Sequence, residues 1–200
     1  MKTLICLIRH GQTDGNKMRI FQGRTDLKLN ETGIEQAHTT ADLLKKIPLK
    51  WNYLGTSPLK RAQETANIIK DDLNLSLDVN ILNDAIERSF GVAEGIPISE
   101  ENYQRILRNE FAFEESEQEI ILRAEKLIEN ILSCHRGENI LIVSHSHFIK
   151  AVFKPYIKNL QFNDSIRNTS LNFLIFDDDN VLTSINLTSY DEAITAIKKE

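Results

Sequence analysis

Two stretches of the chain are almost continuously apolar, and each is followed directly by basic side chains. The first covers residues 3–8, and the second is Ile140-Leu141-Ile142-Val143 within the segment 139–144. Apolar runs without alternation are typical of strands that are buried on both faces of a sheet. The pattern therefore predicts one strand that ends before Arg9 and His10, and another that ends before His145.

Helical periodicity appears twice in the first half of the chain. Within residues 31–47 the apolar positions fall three or four residues apart, with Asn30 as the expected N-cap and Pro48 as the stop. A second helix is predicted over 58–73 because a proline suits the first helical position, and Ser57 is its expected N-cap.

The remaining segments complete an alternation of strands and helices. Strands are predicted at 51–56, 77–82, 171–176 and 181–187, and helices at two places within 97–133 and again at 148–156. Residues 9–29 are expected to form a loop, and the end after 190 is either a helix or a frayed tail. This order, βαβαβ–αα–βα–ββ, predicts an α/β fold in three layers around a mostly parallel sheet. Such sheets bind ligands beyond the carboxyl ends of their strands.

Composition is consistent with one globular domain over residues 1–200, of which 41% are hydrophobic and 26% charged. The formal net charge of −5, from 24 basic and 29 acidic residues, argues against nucleic acid or an anionic membrane as a partner. No apolar run approaches the ~18 residues of a membrane span. Cys6 and Cys134 are too few for a disulfide framework. A soluble, cytoplasmic protein is therefore expected.

Basic residues are expected to converge at the carboxyl edge of the sheet. His10 and His145 each follow a buried strand, and Arg9 lies beside His10. Arg61 falls in the first turn of the helix predicted over 58–73, where free backbone N–H groups favour an anion. Because guanidinium groups bind phosphate oxygens in pairs, this combination predicts a phosphate site.

These residues belong to five short segments that follow one another along most of the chain. They are Leu7-Ile8-Arg9-His10-Gly11, Phe21-Gln22-Gly23-Arg24-Thr25-Asp26-Leu27 with 32–37, Ser57-Pro58-Leu59-Lys60-Arg61, Glu87-Arg88-Ser89-Phe90-Gly91 with Glu94-Gly95, and Val143-Ser144-His145. In this order they resemble the motifs of the histidine phosphatase superfamily, the phosphoglycerate mutase-like family. An Arg-His-Gly triplet alone would be weak, whereas five ordered motifs make a chance similarity improbable.

The resemblance implies a phosphoglycerate mutase-like fold and a set of catalytic roles. His10 would be the nucleophile that carries a phosphohistidine, Glu87 the general acid and base, and His145 a third catalytic residue. The residues that would bind the phosphoryl group are Arg9, Arg61, Asn16, Gln22, Gly23 and Ser146. The resemblance implies neither a metal nor a cofactor, because arginine and histidine would stabilise the charge of the transition state.

Two of these assignments have competitors in the sequence. Asp84 lies three residues before Glu87, although the spacing to the glycine of the family's motif favours Glu87 as the acid. His145 and His147 form a His-x-His pair, but two ligands without a third are weak grounds for a metal site. The family commonly has glycine where this chain has Ser146 and His147, so these side chains either narrow the pocket or add a donor.

A small helical cap at about residues 92–137 is expected to select the substrate. Residues 99–119 hold seven glutamates against Arg105 and Arg108, an excess that would repel a polyanion unless the two arginines point inward. Three aromatic residues either pack between helices or line an apolar leaving-group pocket, namely Tyr103, Phe111 and Phe113.

The sequence thus predicts a metal-independent phosphatase acting on a small-molecule phosphomonoester. The alternative is a cofactor-dependent phosphoglycerate mutase, although the longer insertion with an Arg-Arg pair found in the family's mutases is missing. An inactive phospho-ligand-binding module ranks last, because the central residues of the motifs are all present, namely Arg9, His10, Arg61, Glu87 and His145. The last strands leave either an edge that pairs with a second copy, as a homodimer, or a covered edge.

Overall fold

The computed structural model describes residues 2–108, 110, 114–177 and 180–198. Phe111 and Phe113 of the expected leaving-group pocket lie outside these ranges, as do Asp178 and Asp179 between the strands predicted at 171–176 and 181–187. Within the described ranges, no helix has both the length and the apolar character needed to cross a membrane.

Six strands of the described chain form one sheet in the order β3-β2-β4-β1-β5-β6. They are Thr3–Arg9 (β1), Tyr53–Thr56 (β2), Val79–Ile81 (β3), Asn139–Ser144 (β4), Leu171–Asp177 (β5) and Asn180–Leu187 (β6). Strands β1 to β4 pair in parallel, whereas β5 and β6 are antiparallel to their neighbours. The expectation of a mostly parallel sheet is confirmed, and β2 and β3 are shorter than predicted.

Seven helices accompany this sheet in the described ranges. They are Asp14–Lys17 (α1), Glu31–Lys46 (α2), Lys60–Asp72 (α3), Glu100–Leu107 (α4), Glu117–Cys134 (α5), Ser146–Phe153 (α6) and Tyr190–Ile197 (α7). The short helix α1 lies inside the region predicted as a loop, where Thr13 and Asn16 form a capping box. Helix α2 begins after its predicted N-cap, since the Asn30 side chain accepts from the backbone N–H of Gly33.

Strand β1 divides its side chains between two cores, which explains its continuous apolar run. Leu4, Cys6 and Ile8 pack with α2, α3 and α7 on one face of the sheet. Ile5 and Leu7 pack with α5 and α6 on the other. Helix α5 therefore packs in this second core, although it falls within the range 92–137 that was expected to form a cap. Tyr103 of α4 packs against a separate small cluster around Phe21 and Phe90.

The start of α3 differs from the sequence-based prediction. Ser57 is not its N-cap: Leu59 holds that position and makes no side-chain capping bond. The hydroxyl of Ser57 is instead 2.7 Å from Nε2 of His145, and it accepts a hydrogen bond from the N–H of Leu59 at 3.3 Å. The hydroxyl thus combines a local backbone bond with a tertiary contact to His145.

Candidate active site

The parallel pairing of β1 with β4 brings the two strand-end histidines together. Arg9 is in register with Ser144, so the residues that follow, His10 and His145, emerge side by side. Their ring centroids are 5.1 Å apart, and their exposed fractions are 3% and 0%. The expectation that both histidines reach one crevice is therefore confirmed.

The hydrogen bonds of His10 define its tautomer. Its Nδ1 is 2.7 Å from the carbonyl oxygen of Gly11, which can only accept, so Nδ1 carries the proton. Nε of Arg61 donates to Nε2 of His10 at 3.2 Å, so Nε2 presents its lone pair. The neutral ring thus has its basic nitrogen on the side of Arg61.

The electrostatic surroundings also favour the neutral form of His10. Burial lowers the pKa of His10 well below its usual value, and the charges of Arg61 and Arg9 lower it further. The His10 ring is therefore uncharged at neutral pH, with its proton on Nδ1 and none on Nε2. A ring nitrogen must be unprotonated to act as a nucleophile.

Arg61 is buried at 0% exposure and held at every nitrogen of its guanidinium group. Besides the bond to His10, Nη1 donates to the carbonyl of Thr25 at 2.7 Å and Nη2 to the carbonyl of Gly23 at 2.8 Å. The amino end of α3 was expected to offer free N–H groups to an anion, but the N–H of Lys60 donates to Oδ1 of Asp26 at 2.7 Å. The contribution of α3 to this site is thus the Arg61 side chain itself.

Gly23, predicted as a phosphate-binding residue, lies behind Arg61 in this arrangement. Its carbonyl accepts from Arg61, and a Cβ at this position would come within 2.7 Å of the carbonyl oxygen of Arg88. The carboxylate of Glu94 accepts hydrogen bonds from the neighbouring Arg24 and Thr25 N–H groups. Close backbone packing therefore explains the glycine, and the loop serves to hold Arg61.

An open cavity of about 440 Å³ lies beside His10 and receives most of the other predicted residues. Its lining includes Arg9, Asn16, Gln22, Glu87 and Ser146. Arg9 donates through Nη1 to the carbonyl of Ile166, and burial with the nearby Arg61 charge lowers its pKa to about 10, so it stays charged at neutral pH. The predicted residues thus surround one space.

Buried polar atoms without a hydrogen-bond partner are concentrated at this cavity. Five such side-chain atoms occur in the described part of the chain, and three belong to the cavity lining: Nε of Arg9, Nε2 of Gln22 and Nδ1 of His147. A fourth, Nδ1 of His145, belongs to the ring next to His10. Each unsatisfied buried polar group costs about 1–3 kcal/mol. Their concentration at one place is characteristic of a site that binds a polar ligand.

Glu87 occupies the amino end of α6. One carboxylate oxygen accepts from the N–H groups of Arg88 at 2.9 Å and Phe148 at 3.1 Å, and the other from the N–H of His147 at 3.2 Å. Its exposed fraction is 5%, and it faces the cavity. The competing acid, Asp84, is absent from the described lining of this cavity, so the geometry favours Glu87.

Two contributors to the cavity, Lys150 and residues 162–166, were not identified from the sequence. Lys150 lies on α6 and donates from Nζ to the carbonyls of Phe162 and Asp164. His147 packs edge-on against Phe90 at 4.9 Å and lies 5.3 Å from Phe162 between ring centroids. The lysine within the apolar run of α6 could have indicated a buried charge from the sequence alone, whereas residues 160–166 contain no motif.

The two arginines at α4 and its end are not among the described residues that line this space. Nε of Arg105 is 3.0 Å from one carboxylate oxygen of Glu110, and Nε of Arg108 is 2.6 Å from the other. All three side chains are at least 40% exposed. Of the glutamates in residues 99–119 that the structure describes, Glu100 contributes to the cavity lining. The described residues contain no group of three or more His, Cys, Asp or Glu side chains placed to hold a metal ion.

Comparison with known proteins agrees with the fold. The family model of the histidine phosphatase superfamily (branch 1) matches residues 5–188. An uncharacterized phosphatase, PhoE, from Bacillus subtilis is 37% identical over 150 residues, which is 75% of each chain. A 2,3-bisphosphoglycerate-dependent phosphoglycerate mutase from Dichelobacter nodosus is 28% identical, covering 100% of this chain and 97% of its own.

A solved structure is similar over nearly the whole fold. Phosphoserine phosphatase from Entamoeba histolytica, in complex with 3-phosphoglyceric acid, superposes with a TM-score of 0.80 at 26% identity, over 94% of this chain and 98% of its own. The sheet order, the paired histidines and these similarities place the protein in one class, the α/β enzymes of phosphoryl chemistry. Within that class the chain belongs to the histidine phosphatase superfamily, as a phosphatase-type enzyme.

Proposed function

We propose that this protein is a metal-independent phosphatase that hydrolyses small organic phosphomonoesters through a phosphohistidine on His10. The observation that carries the proposal is the neutral His10 ring, whose Nδ1 proton is donated to Gly11 and whose Nε2 lone pair meets only the N–H of Arg61. A nucleophile needs such a lone pair at neutral pH. The low pKa of His10 ensures that the pair is present.

The first step forms a bond between Nε2 of His10 and phosphorus and breaks the bond from phosphorus to the ester oxygen. Arg61 transfers its Nε hydrogen bond from His10 to a phosphoryl oxygen, and Arg9 binds a second oxygen. The leaving oxygen takes a proton from Glu87, which faces the same cavity. In the second step water attacks phosphorus, Glu87 takes its proton, and the bond from phosphorus to Nε2 breaks to release inorganic phosphate.

Charge and unpaired polar atoms support the binding of a phosphoryl group. Arg9 and Arg61 bring two positive charges to His10, and the unpartnered nitrogens of Arg9, Gln22 and His145 provide further hydrogen-bonding capacity. Preorganised donors of this kind are usually the largest single source of transition-state stabilisation. Phosphoryl oxygens bear the charge that these groups would stabilise.

The remaining lining of the cavity supports a small organic leaving group. Besides its polar and charged residues, the lining includes several apolar and aromatic side chains: Ile20, Phe21, Phe90, Ile98, Tyr103 and Phe162. Its volume of about 440 Å³ lies within the usual range for small-molecule sites. A compact ester with an apolar portion fits this lining better than a polymer.

A phosphoglycerate mutase is the second candidate, because relatives that carry this name match the whole chain. A mutase must hold a second, strongly anionic phosphorylated cofactor. Arg105 and Arg108, the basic residues of α4 and its end, pair with Glu110 at the surface, and Glu100 and Asp164 line the cavity. These charges favour the phosphatase.

The test is a phosphate-release panel in EDTA with an aryl phosphate, sugar phosphates, phosphoserine and a nucleotide. Isomerisation of 3-phosphoglycerate with trace bisphosphoglycerate is followed separately. Phosphate release that EDTA leaves unchanged, with acid-labile phosphate trapped on wild type but not on His10→Ala, is the expected result. Isomerisation without net release would identify a mutase, and turnover that EDTA abolishes would refute the metal-independent mechanism.

A further inference from the structure

Lys150 is a buried cation within the otherwise apolar part of α6, residues 148–153. Its neighbours in α6 include Ile149 and Ala151, and its own exposed fraction is 3%. Burial lowers the pKa of Lys150 to about 8, so the ammonium group is still mainly charged at pH 7. Keeping a charged lysine here is costly unless its N–H groups have partners.

The partners of Lys150 are backbone carbonyls of one segment, residues 160–169. Nζ donates to the carbonyl of Asp164 at 3.0 Å and to that of Phe162 over a shorter distance. This segment has no helix or strand of its own, so side chains supply much of its attachment. From the opposite side, Oδ1 of Asn186 accepts from the N–H of Arg167 at 2.7 Å.

The same segment holds the reacting end of β1. The carbonyl of Ile166 accepts from Nη1 of Arg9, and the N–H of Thr169 donates to the Arg9 carbonyl at 2.9 Å. Nδ2 of Asn168 donates to the carbonyl of His10 at 2.8 Å. Lys150 therefore holds one part of segment 160–169 by hydrogen bonds, and other residues of the same segment are hydrogen-bonded to Arg9 and His10. The backbone of the segment connects the two sets of bonds.

We propose that Lys150 is a positioning residue for phosphoryl transfer: its ammonium group attaches segment 160–169 to α6, and the segment orients the Arg9 guanidinium towards the substrate. The inference rests on the proposed function, because it assigns Arg9 to a phosphoryl oxygen. The effect of Lys150 passes through backbone carbonyls, so it is independent of the leaving group. Misplacing a binding group by about 1 Å can reduce a rate by about 100-fold.

The chain offers a matched control on the same helix side. Nζ of Lys154 donates to the carbonyl of Leu160, at the start of the same segment. Lys154 is more exposed than Lys150 and is not among the described residues that line the cavity. Lys154→Met therefore removes a contact of the same chemical type at the end of the segment remote from Arg9.

The experiment compares wild type, Lys150→Met, Lys154→Met, Arg9→Ala and the Arg9→Ala/Lys150→Met double variant at pH 7. It measures melting temperature, kcat and KM on an aryl phosphate, and the Kd of inorganic phosphate by calorimetry. We expect Lys150→Met to raise the phosphate Kd and lower kcat/KM by about 10- to 100-fold. We expect Lys154→Met to stay within about twofold of wild type, as a substitution away from the site. Since Lys150 acts through Arg9, the double variant should match Arg9→Ala.

The inference would be overturned if the losses of kcat/KM in Arg9→Ala and Lys150→Met multiplied in the double variant. It would also be overturned if Lys150→Met and Lys154→Met lost equal activity. If Lys150→Met does not fold, Lys150→Gln replaces it, because an amide still donates two hydrogen bonds and should give a smaller loss. The phosphate Kd keeps this inference separate from the proposed function. If the two substitutions were coupled in their effect on the phosphate Kd while the wild type hydrolysed no ester, only the proposed function would be refuted. A wild type that neither binds phosphate nor turns over an ester would refute both.

Discussion

The inner and outer parts of the site region, one behind His10 and one beyond the cavity at α4, are built in opposite ways. The inner part, His10, Arg61 and His145, is almost completely buried, and the guanidinium of Arg61 has a partner at each nitrogen. The outer part at α4 carries exposed ion pairs, such as Arg108 with Glu110. Backbone carbonyls fix the inner groups, whereas flexible side chains hold the outer ones.

This difference indicates which residues should contribute most to the reaction rate. Exposed ion pairs contribute about 0–1 kcal/mol, because water and salt screen them. Buried, oriented donors act in a medium of low polarity and need no reorganisation during reaction. Substitutions should therefore have large effects in the inner part and small effects in the outer part, and the following predictions test that contrast.

The largest effect is expected for His10→Ala, which removes the proposed nucleophile. Turnover should fall by at least about 10³-fold, as for other nucleophile deletions. The remaining protein should fold, because the His10 side chain makes one local bond to Gly11 and one bond with Arg61. Initial rates and circular dichroism check both statements. A folded His10→Ala protein with normal activity would show that another residue carries the phosphoryl group.

Arg61→Ala should reduce both activity and stability. It leaves the carbonyls of Gly23 and Thr25 without their buried donor, which should cost about 2–4 kcal/mol of unfolding free energy. Loss of the donor at His10 should lower kcat/KM by about 10²–10³-fold. Arg61→Lys should recover little, because an ammonium lacks the forked geometry. Urea unfolding and kinetics measure the two effects, and full rescue by lysine would contradict the assignment.

Glu87→Gln separates leaving-group chemistry from binding. Loss of the proton donor should lower kcat on alkyl phosphates by about 10²–10⁴-fold, and much less on aryl phosphates, whose leaving groups depart unprotonated. Asp84→Asn is the matched control and should keep the wild-type ratio of the two rates. An equal loss on both ester classes in Glu87→Gln, or a selective loss in Asp84→Asn, would move the acid role away from Glu87.

Acid pH should destabilise the protein through its buried histidines. Burial and nearby positive charges lower the pKa values of His10, His145 and His147 well below 6.5. Below that pH the unfolded chain binds protons that the folded chain does not, so stability falls as pH falls. Each histidine contributes a slope of up to about 1.4 kcal/mol per pH unit. Urea unfolding between pH 7 and 5 measures the slope, and His147→Phe should reduce it; an unchanged slope would contradict the low pKa of His147.

The smallest effect is expected for Arg108→Ala in the outer part. Loss of its ion pair with Glu110 should change the unfolding free energy by less than about 1 kcal/mol. Activity on a monoanionic aryl ester should stay within about twofold, as for surface substitutions away from the site. A large loss on 3-phosphoglycerate alone would show that Arg108 turns inward to bind an anion, and would favour the mutase.

The elements of the inner part could be predicted because their signals are local. Apolar runs marked β1 and β4, and the basic residue at each strand end marked the site. The assignment of Ser57 as an N-cap was wrong, because the helix begins at Lys60 with Leu59 at its N-cap. The Ser57 hydroxyl also contacts His145, 88 positions away in sequence. The anion site expected at α3 was also wrong, since Asp26 occupies that helix end, while α6 presents its N–H groups to Glu87.

Lys150 shows where sequence reasoning stops. The lysine is visible as an odd residue in α6, but its role depends on carbonyls of segment 160–169, and carbonyls leave no mark in a sequence. The same holds for the Gly23 carbonyl, which accepts a hydrogen bond from Arg61, while the contact of Gly23 with phosphate stays a prediction. Backbone acceptors become specific only when folding brings a particular donor to them.

The sequence by itself determined the α/β class, the two buried strands and the residue types that gather at their ends. It could do so because burial periodicity and side-chain chemistry are local properties. Tertiary structure alone decided the tautomer of His10, the burial of Arg61 and the attachment of Arg9 to segment 160–169. Those features depend on hydrogen bonds between residues distant in sequence, such as the 157 positions that separate Arg9 from Ile166.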